Sequence, residues 1–464
     1  MPEATSLRPV EESCYWLARR PRRETQTLDG DLEADVAVVG AGFTGLWTAL
    51  ALKELEPGLS IVLLERERVA HGASGRNAGI ASELLDHSPD LAIAHFGLAE
   101  ARTLARLGRE NLDGLEAFLR QTGVDAGFAR PGQLVTALQP RHVQELKGAL
   151  ESAHRLGLDD WRWLSQEEVQ AEIHSPLPLG ALLAPRNCLV DPVQLAEGLA
   201  REAMGRGVRL CEKTRVEGFE LAQGRVRIKT ARGKVTARRV ALATNAYSHH
   251  LWPGLRWRFL PLYDYIVVTE PLAPEQRAAI GWSKGQGLTD GRAFFNYARP
   301  TADGRILWGT SEAVYFRGNR VDKAADHSPA RYAGLEESLR RFFPQLSGVR
   351  FPYAWGGPIA STTRLTPFFG TALRGRISYA LGYTGNGIGT TRIAGRILAH
   401  LTLARPSPLL ELSMVRRPPF PYPPEPLRSV AVAAITRALR RVDAGGEPNL
   451  VLRLLQAMGI GFSS

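Results

Sequence analysis

The chain of 464 residues is 44% hydrophobic and 23% charged, and its formal net charge is +11. This length exceeds what one hydrophobic core usually fills, so we expect two closely associated domains. The positive charge comes from arginines spread along the chain rather than from one basic cluster, so we expect no nucleic-acid partner.

Three widely spaced cysteines, Cys14, Cys188 and Cys211, form no C-x-x-C pair, so we expect neither a disulfide framework nor a metal site. No apolar run approaches the roughly 18 to 20 residues that span a bilayer, and the first residues lack the apolar core of a signal peptide. Polar residues follow the pair Arg19 and Arg20, which excludes a twin-arginine export signal. We therefore expect a cytoplasmic protein.

The first predicted elements are a strand, a glycine turn, a helix and a second strand. The apolar stretch ADVAVVG at 34–40 predicts a buried strand of a parallel sheet, and TGLWTALALKEL at 44–55 predicts a helix. A second strand, SIVLLE, ends at Glu65. The spacing G-x-G-x-x-G places Gly40, Gly42 and Gly45 at the turn between the first strand and the helix.

In this context the glycine turn predicts a dinucleotide site. Gly40 permits the tight turn, Gly42 lets a pyrophosphate approach the backbone, and Gly45 lets the helix lie close to the strand. Glu65 follows about 20 residues after the turn, where a carboxylate accepts hydrogen bonds from ribose hydroxyls. NAD and FAD both satisfy this geometry.

Small and polar residues dominate the next stretch, RERVAHGASGRNAGIAS at 66–82, which suits a long, buried cofactor because the backbone can approach it closely. Four further motifs follow it. They are VALATNAYS at 240–248, ADGRILWGT at 302–310, WGGPIASTTRLTPFFG at 355–370 and ALGYTGNGIGTTRIAGRILAHL at 380–401.

On these motifs, with DVAVVGAGFTGL at 35–46 and LLERERVAHGASGRNAG at 63–79, the sequence resembles the D-amino-acid-oxidase-like (DAO) superfamily of FAD-dependent amine oxidoreductases, especially the gamma-glutamylputrescine oxidase group. The resemblance implies an α/β (α+β) fold of the glutathione-reductase/p-hydroxybenzoate-hydroxylase type. A Rossmann-like FAD-binding domain would carry an inserted antiparallel-sheet substrate domain. We expect the FAD-binding domain at 1–100, 189–255 and 351–464, and the substrate domain at 101–188 and 256–350.

The C-terminal motif predicts a second helix start beside a flexible turn. ISYAL at 377–381 is a predicted strand, closely spaced glycines follow it, and TTRIAGRILAHL at 390–401 is a predicted helix opened by Thr390. A helix N-terminus carries partial positive charge. The resemblance implies that this turn contacts the edge of the flavin that becomes anionic on reduction.

The resemblance also assigns the FAD contacts and predicts that FAD is not covalently bound. The Cys and His that carry covalent flavin in sarcosine-oxidase and dimethylglycine-dehydrogenase relatives would fall near Ser361 and Asn77, and His71 is out of register with the second position. The expected contacts are Gly40, Gly42, Phe43, Thr44, Gly45, Glu65, Arg66, Ser74, Arg76, Asn77, Gly79, Ile80, Val216 at the adenine, Thr244 and Asn245 at the pyrophosphate, Gly385, Asn386, Gly387, Ile388, Gly389 and Thr390.

The absence of a second G-x-G-x-x-G for a nicotinamide nucleotide favours a flavin that takes electrons from a substrate. The expected reaction is hydride transfer from the carbon next to a neutral amine to flavin N5. This gives an imine that hydrolyses to an aldehyde or ketone, with oxygen or a respiratory carrier as electron acceptor. The candidate catalytic residues are Tyr265, Tyr297, Arg299, Trp355, Tyr383 and Asn386.

Two departures from the family favour an amine, or an amino acid whose acid group is remote, over a simple α-amino acid. Amino-acid oxidases hold the substrate carboxylate with an Arg that aligns with Ile359, and sarcosine oxidases use a Lys that aligns with Gly389. An apolar residue cannot fix a carboxylate, so an anionic part of the substrate would instead meet Arg299 or Arg364. Three alternatives remain open: an N-methyl amino acid or other amino-acid oxidase or dehydrogenase, a flavin-binding electron-relay or assembly subunit, and a flavin enzyme acting on RNA.

From Arg405 onward, a proline-rich stretch is expected to lie extended over the body and to end in two helices, RSVAVAAITRALRRV and NLVLRLLQAMG. The first helix places Arg437, Arg440 and Arg441 beside an apolar stripe. We favour a solvated face on a packed helix over a role at a membrane surface.

Overall fold

The computed structural model describes residues 8–21 and 23–457. Its strands, in chain order, are β1 Leu32–Val39, β2 Ile61–Leu64, β3 Ile80–Ala81, β4 Gln133–Thr136, β5 Arg162–Ser165, β6 Gly180–Ala184, β7 Cys188–Leu189, β8 Val208–Cys211, β9 Val216–Ala222, β10 Arg225–Thr230, β11 Gly233–Leu242, β12 Leu260–Val268, β13 Gly287–Asp290, β14 Asn296–Pro300, β15 Ile306–Tyr315, β16 Tyr353–Ser361, β17 Phe368–Ala372 and β18 Ile377–Leu381.

The described part of the chain contains fourteen α-helices. They are α1 Val10–Ser13, α2 Tyr15–Ala18, α3 Phe43–Leu55, α4 Pro89–Thr122, α5 Pro140–Arg155, α6 Gln166–Glu172, α7 Pro192–Gly205, α8 Ser248–Leu251, α9 Pro274–Ile280, α10 Pro329–Phe342, α11 Gly387–Leu403, α12 Ser413–Arg416, α13 Leu427–Asp443 and α14 Leu450–Ala457.

The first sheet is the predicted Rossmann-like sheet. Its strand order is β17-β18-β11-β1-β2-β8, with β10 also paired to β11 and β9 paired to β10. The pairs that join β18, β11, β1, β2 and β8 are all parallel. A βαβ connection needs a helix between parallel strands, and α3 supplies it between β1 and β2. The predicted strand, helix and strand at the first glycine turn are confirmed to within two residues.

The second sheet is the predicted, mainly antiparallel sheet. Its strand order is β16-β12-β15-β14-β13-β4-β6-β5, and only the pair β13 and β4 is parallel. β16 spans residues 353–361, so the predicted domain boundary at 351 separates this strand from the sheet to which it belongs. The boundary at 100 falls inside α4, which bends at Gly97.

Strand β12 shows how the second sheet divides its two faces. Successive strand residues point to opposite faces. Tyr263, Tyr265 and Val267 are buried in a core behind the sheet. Asp264 and Ile266 point the other way and line a cavity.

The two helices predicted in the C-terminal segment are present as α13 and α14. Asp443, at the end of α13, accepts hydrogen bonds from the backbone N–H groups of Ala293 and Phe294, at 2.8 and 2.9 Å. The segment is therefore fastened to the loop between β13 and β14. Within residues 8–457, no helix has both the length and the apolar composition that a membrane span requires.

Candidate active site

A cavity of about 1380 Å³ lies between the two sheets. Its lining runs from the first glycine turn, past the C-terminal glycine turn, to the cavity face of the second sheet and the inner face of α13. Ordinary small-molecule pockets have volumes of roughly 300–1,000 Å³. The cavity therefore has room for a large cofactor and a substrate together.

The first glycine turn is built as its spacing predicts. Gly40 has a φ of 101°, which disfavours a side chain. A Cβ on Gly42 would lie 2.8 Å from Ser74 Oγ, and a Cβ on Gly45 would overlap the carbonyl oxygen of Gly40. Gly42 lines the cavity, whereas Gly45 is packed behind the turn, so its role is close packing of helix on strand.

Glu65 stands at the cavity end of β2. Its carboxylate accepts hydrogen bonds from the backbone N–H groups of Ala41, at 2.8 Å, and Glu67, at 2.9 Å. Burial raises the pKa of Glu65, and these two hydrogen bonds oppose the increase. They hold the carboxylate beside the glycine turn, where a ribose would bind.

The C-terminal glycine turn differs from the prediction in one respect. Helix α11 begins at Gly387, not at Thr390, because the glycines themselves adopt helical conformation. Gly389 and Thr390 therefore lie inside the first turn of the helix and do not line the cavity. Gly389 packs so closely on the backbone of Ser82 that a Cβ there would overlap it.

The two helix starts meet at the cavity. Thr44, in the first turn of α3, donates a hydrogen bond from Oγ1 to the phenolic oxygen of Tyr383 at 2.8 Å. Gly395 of α11 lets the two helices pack closely, because a Cβ there would lie 2.6 Å from Trp47 Cβ. Neither helix has a side-chain cap at its N-terminus. The N–H of Phe43 donates to Ser74 Oγ at 2.9 Å. The N–H groups that follow it in α3, and those that open α11, can meet anionic or acceptor groups of a ligand.

Most of the predicted cofactor contacts line this cavity. Those that do are Gly40, Gly42, Phe43, Thr44, Glu65, Arg66, Ser74, Arg76, Asn77, Ile80, Val216, Thr244, Asn245, Gly385, Asn386, Gly387 and Ile388. Gly45, Gly79, Gly389 and Thr390 do not. Gly79 has a φ of 76° and packs on Val190 and Arg299, so it shapes the loop from behind.

Arg76 is a buried residue in the middle of the loop between β2 and β3. It pairs with Asp326 at 2.8 Å and donates from Nε to the carbonyl oxygen of His71 at 2.8 Å. Trp355 donates from Nε1 to the carbonyl oxygen of Arg76 at 2.9 Å and is fully buried. The predicted catalytic residue Trp355 therefore supports this loop and does not line the cavity.

Two further predicted catalytic residues lie outside the cavity. Arg299 donates to the carbonyl oxygens of Val190, at 2.8 Å, and Gly79, at 3.3 Å, which ties β14 to the loop. Tyr265 faces the core and donates from its hydroxyl to the carbonyl oxygen of Ala325 at 3.0 Å. Both residues were predicted from their residue types. Alternation along β12 points the Tyr265 side chain into the core instead of the cavity, and the guanidinium of Arg299 is used by backbone carbonyls.

The other three candidates, Tyr297, Tyr383 and Asn386, do line the cavity. Asn386 donates from its amide to the carbonyl oxygen of Leu84 at 2.9 Å, which fixes the turn before α11. Tyr297 donates from its hydroxyl to Asp264 Oδ2 at 2.7 Å.

Asp264 is a candidate functional group that the sequence prediction did not include. It lines the cavity, and burial raises the pKa of its carboxyl group to about 7. A signal was present in the sequence, because one acidic residue interrupts the otherwise apolar and aromatic strand LPLYDYIVV. A charged side chain in such a strand is rarely buried without a function or a partner.

Residues 35–401 match the DAO family, described as FAD-dependent oxidoreductases. This chain belongs to the DAO family. A gamma-glutamylputrescine oxidoreductase from Escherichia coli is 32% identical over 376 residues, which cover 81% of this chain and 85% of that protein. The match confirms the predicted enzyme class, an FAD-dependent oxidoreductase of amines or amino acids, and the predicted cofactor.

Solved structures share the DAO fold. Glycine oxidase from Geobacillus kaustophilus has a TM-score of 0.67 and 21% identity, over 83% of this chain and 99% of that one. L-proline dehydrogenase from P. horikoshii has a TM-score of 0.67 and 19% identity, over 82% of this chain and 96% of that one. These likenesses confirm the predicted fold class.

The residues present fit FAD. One continuous cavity contains the backbone N–H groups of the two helix starts as donors, the side-chain-free surface at Gly42 for close approach, and the fixed carboxylate of Glu65 as an acceptor. In a DAO enzyme, α3 would hold the pyrophosphate and α11 the ring edge.

Arg364 does not take the role predicted for it at the substrate. It donates from Nη1 to the carbonyl oxygen of Arg417 at 2.8 Å and from Nη2 to that of Met414 at 3.1 Å. Its guanidinium group also lies over the ring of Phe96, 5.4 Å from the centroid. Arg364 therefore anchors the start of the C-terminal segment.

The C-terminal segment lies beyond the DAO match and closes the cavity. Ala431, Val432 and Ile435 on the inner face of α13 line it. Arg440 of the same helix pairs with Glu312 of β15. Two residues of the predicted apolar stripe, Ile435 and Leu439, therefore pack on the protein, whereas the third, Val430, is 64% exposed.

Proposed function

We propose that this DAO enzyme oxidises the C–N bond of an amine to an imine, which water hydrolyses to an aldehyde or ketone. The observation that carries the proposal is the composition of the cavity wall opposite the glycine turns. Apolar side chains, including Leu262, Ile266 and Ile359, line the same cavity as the carboxylate of Asp264. An acidic group in an apolar wall suits a cationic amine and repels a substrate carboxylate at that point.

The chain's own residues would bind the substrate and exclude water. When bound, FAD supplies the acceptor for the hydride that leaves the carbon next to nitrogen. The apolar wall and α13 separate that carbon from bulk solvent, which strengthens electrostatic interactions inside the cavity. Tyr383 and Asn386 keep the C-terminal turn in place against α3 and Leu84.

The relatives support two versions of this chemistry. The Escherichia coli relative is named for a substrate with a putrescine amine, and two solved structures with the same fold are named for glycine and L-proline. The second candidate is therefore an oxidase or dehydrogenase of an N-methyl amino acid or other amino acid. An electron-relay or assembly subunit is the alternative from another class.

An anaerobic panel separates these candidates. The FAD-loaded protein is mixed, without oxygen, with diamines, N-alkyl amines, N-methyl amino acids and α-amino acids, and loss of the flavin absorbance is recorded. We expect amines without a neighbouring carboxylate to bleach the flavin fastest. Bleaching by α-amino acids alone would support the second candidate, and bleaching by no small molecule would contradict the proposal. Readmitting air then tests oxygen as the acceptor.

We also propose that FAD is held without a covalent bond. Ser361 and Asn77 align near the positions at which sarcosine-oxidase and dimethylglycine-dehydrogenase relatives attach flavin through Cys or His, and neither side chain can form that bond. His71 lies nearby, but both of its ring nitrogens have partners: Nε2 contacts Arg76 at 3.0 Å and Nδ1 contacts Glu11 at 3.3 Å. Denaturation should release all of the yellow flavin from the protein, whereas flavin that stays on the precipitated chain would contradict this.

A further inference from the structure

Asp264 is a half-buried acid in the cavity wall, and its surroundings leave its charge unbalanced. Its Oδ1 accepts a hydrogen bond from the backbone N–H of Tyr265 at 2.8 Å, and its Oδ2 accepts one from the hydroxyl of Tyr297 at 2.7 Å. Among residues 8–21 and 23–457, no arginine, lysine or histidine forms an ion pair with it. Each carboxylate oxygen can accept two hydrogen bonds, so each has capacity left for a ligand in the cavity.

The position of Tyr297 depends on a glycine between the two residues. Tyr297 lies on β14 and Asp264 on β12, with β15 between these strands. Gly309 of β15 lies beneath the tyrosine ring, and any side chain there would overlap it. The absence of a side chain at 309 therefore lets the phenol reach across a whole strand to the carboxylate.

The neighbouring charged groups already have partners of their own. Asp264 is paired across the sheet with Gly357, against which the stem of Arg76 packs. The Arg76 guanidinium pairs with Asp326 at 2.8 Å. On β15, Glu312 pairs with Arg331 and Arg440.

The carboxylate of Asp264 lacks a cation to balance its charge. Burying a carboxylate away from water is unfavourable unless a charge partner and hydrogen bonds compensate. Asp264 has the hydrogen bonds but no charge partner. Because the carboxylate faces the cavity of an amine oxidoreductase, the partner that fits is the protonated nitrogen of the substrate.

We propose that Asp264 is the receptor for the ammonium group of the substrate, and that Tyr297 is its positioning residue. The proposal rests on the proposed function, since it names how that substrate is held. It also supplies a proton path. The bound ammonium loses its N–H proton to an oxygen of Asp264, which forms an O–H bond, and the nitrogen keeps the electron pair. The resulting neutral amine is the form that can release hydride to FAD.

The test measures binding alone, with a probe that cannot react. tert-Butylamine has no hydrogen on the carbon next to nitrogen, and tert-butanol is its uncharged analogue of similar shape. Calorimetric titration of the FAD-loaded protein compares the two probes. At about pH 8.5, where both the carboxylate and the ammonium are charged, we expect tert-butylamine to bind at least about tenfold more weakly to Asp264→Asn than to the wild type. tert-Butanol should bind both equally.

The pH dependence follows from the carboxyl group. As pH falls through about 7, Asp264 takes up a proton and loses its charge, so binding of tert-butylamine to the wild type should weaken. Asp264→Asn should lack this step. Such a step is specific to a titrating receptor, and a purely structural role would not produce it.

Two further variants test the positioning role. Tyr297→Phe removes the hydroxyl, and Gly309→Ala pushes the ring aside, so both should weaken tert-butylamine binding and move the pH step upward. Tyr265→Phe is the matched control, because that hydroxyl bonds on the core side of the same sheet. It should leave probe binding unchanged.

Equal binding of tert-butylamine to the wild type and to Asp264→Asn would overturn the receptor assignment, as would a pH step that persists in the variant. This failure is distinct from failure of the proposed function. Amines would then still bleach the flavin in the anaerobic panel, whereas a wrong function would leave the flavin oxidised with every amine.

Discussion

The hydroxyl of Thr44 donates a 2.8 Å hydrogen bond to the phenolic oxygen of Tyr383, although 339 positions separate the two residues in the sequence. Thr44 belongs to the first turn of α3 and Tyr383 to the turn before α11. The bond is buried, and it joins the two glycine turns directly. Both helix starts are thereby held against one ligand site.

Removing one side of this bond should loosen the site. Tyr383→Phe leaves the Thr44 hydroxyl buried without its acceptor, so we expect the free energy of unfolding to fall by about 1–3 kcal/mol and FAD to bind more weakly. Denaturant unfolding and FAD retention on dialysis measure these effects. Adding Thr44→Val should recover much of the loss, because both polar groups are then gone. A double variant that loses the full sum of both single effects would contradict the coupling.

A side chain at Gly45 should weaken FAD binding. The Cβ of Gly45→Ala would overlap the carbonyl oxygen of Gly40, so α3 must move away from the turn. Overpacking of this kind costs about 1–3 kcal/mol, and we expect FAD affinity to fall at least about tenfold. Gly58→Ala is the control, because its added methyl meets no atom within 4 Å. Equal FAD affinity in the two variants would show that the turn does not shape the site.

Asp264→Asn should stabilise the ligand-free, FAD-loaded protein at high pH. Burial raises the folded-state pKa of this acid to about 7, so the folded state binds its proton more tightly than the unfolded chain does. The carboxyl group therefore lowers stability increasingly as pH rises from about 4 to about 7. The Asn variant has no such group, so its advantage in Tm should grow over that range and then level off.

Asp290→Asn provides the contrast for this prediction. Asp290 lines the same cavity but pairs with Arg292 at 2.6 Å. Removing its charge leaves that arginine without its partner, so stability at pH 8 should fall rather than rise. If Asp264→Asn also lowers the Tm at high pH, then a cationic group stabilises the Asp264 carboxylate in the ligand-free protein. Our finding that Asp264 has no charge partner among the residues that the structure describes would then be wrong.

The inner face of α13 should set the size of the substrate. Ala431 lines the cavity, so Ala431→Phe fills part of it. We expect KM to rise for long amines by about tenfold and to change little for short ones. Ala434→Phe, on the exposed face of the same helix, is the control. Equal changes for long and short amines would show that α13 does not form the substrate wall.

The glycine turns and the parallel sheet were predictable because their signals are local. G-x-G-x-x-G, a buried strand and an acid at the next strand end occur within one unit of about 30 residues. Gly387 was harder, because a helix that begins on glycines has no side-chain cap to mark it. The prediction therefore started α11 at Thr390, three residues late.

The substrate side was less predictable because it depends on register. Tyr265 and Asp264 are adjacent, and only the pleat of β12 decides which of them faces the cavity. Trp355 and Arg299 were chosen for their residue types, but their partners are backbone carbonyls of distant loops. The contact between Tyr297 and Asp264 requires three neighbouring strands in one register, with glycine at 309, which no local pattern reveals.

We propose that the substrate amine passes two electrons to FAD and that hydrolysis of the resulting imine then breaks its C–N bond. The most direct measurement quantifies the products of one anaerobic turnover with the amine that bleaches the flavin fastest. We predict one equivalent of aldehyde or ketone and one of the released amine or ammonia for each FAD reduced. FAD that is reduced without formation of a carbonyl product, or by the matching alcohol as fast as by the amine, would contradict it.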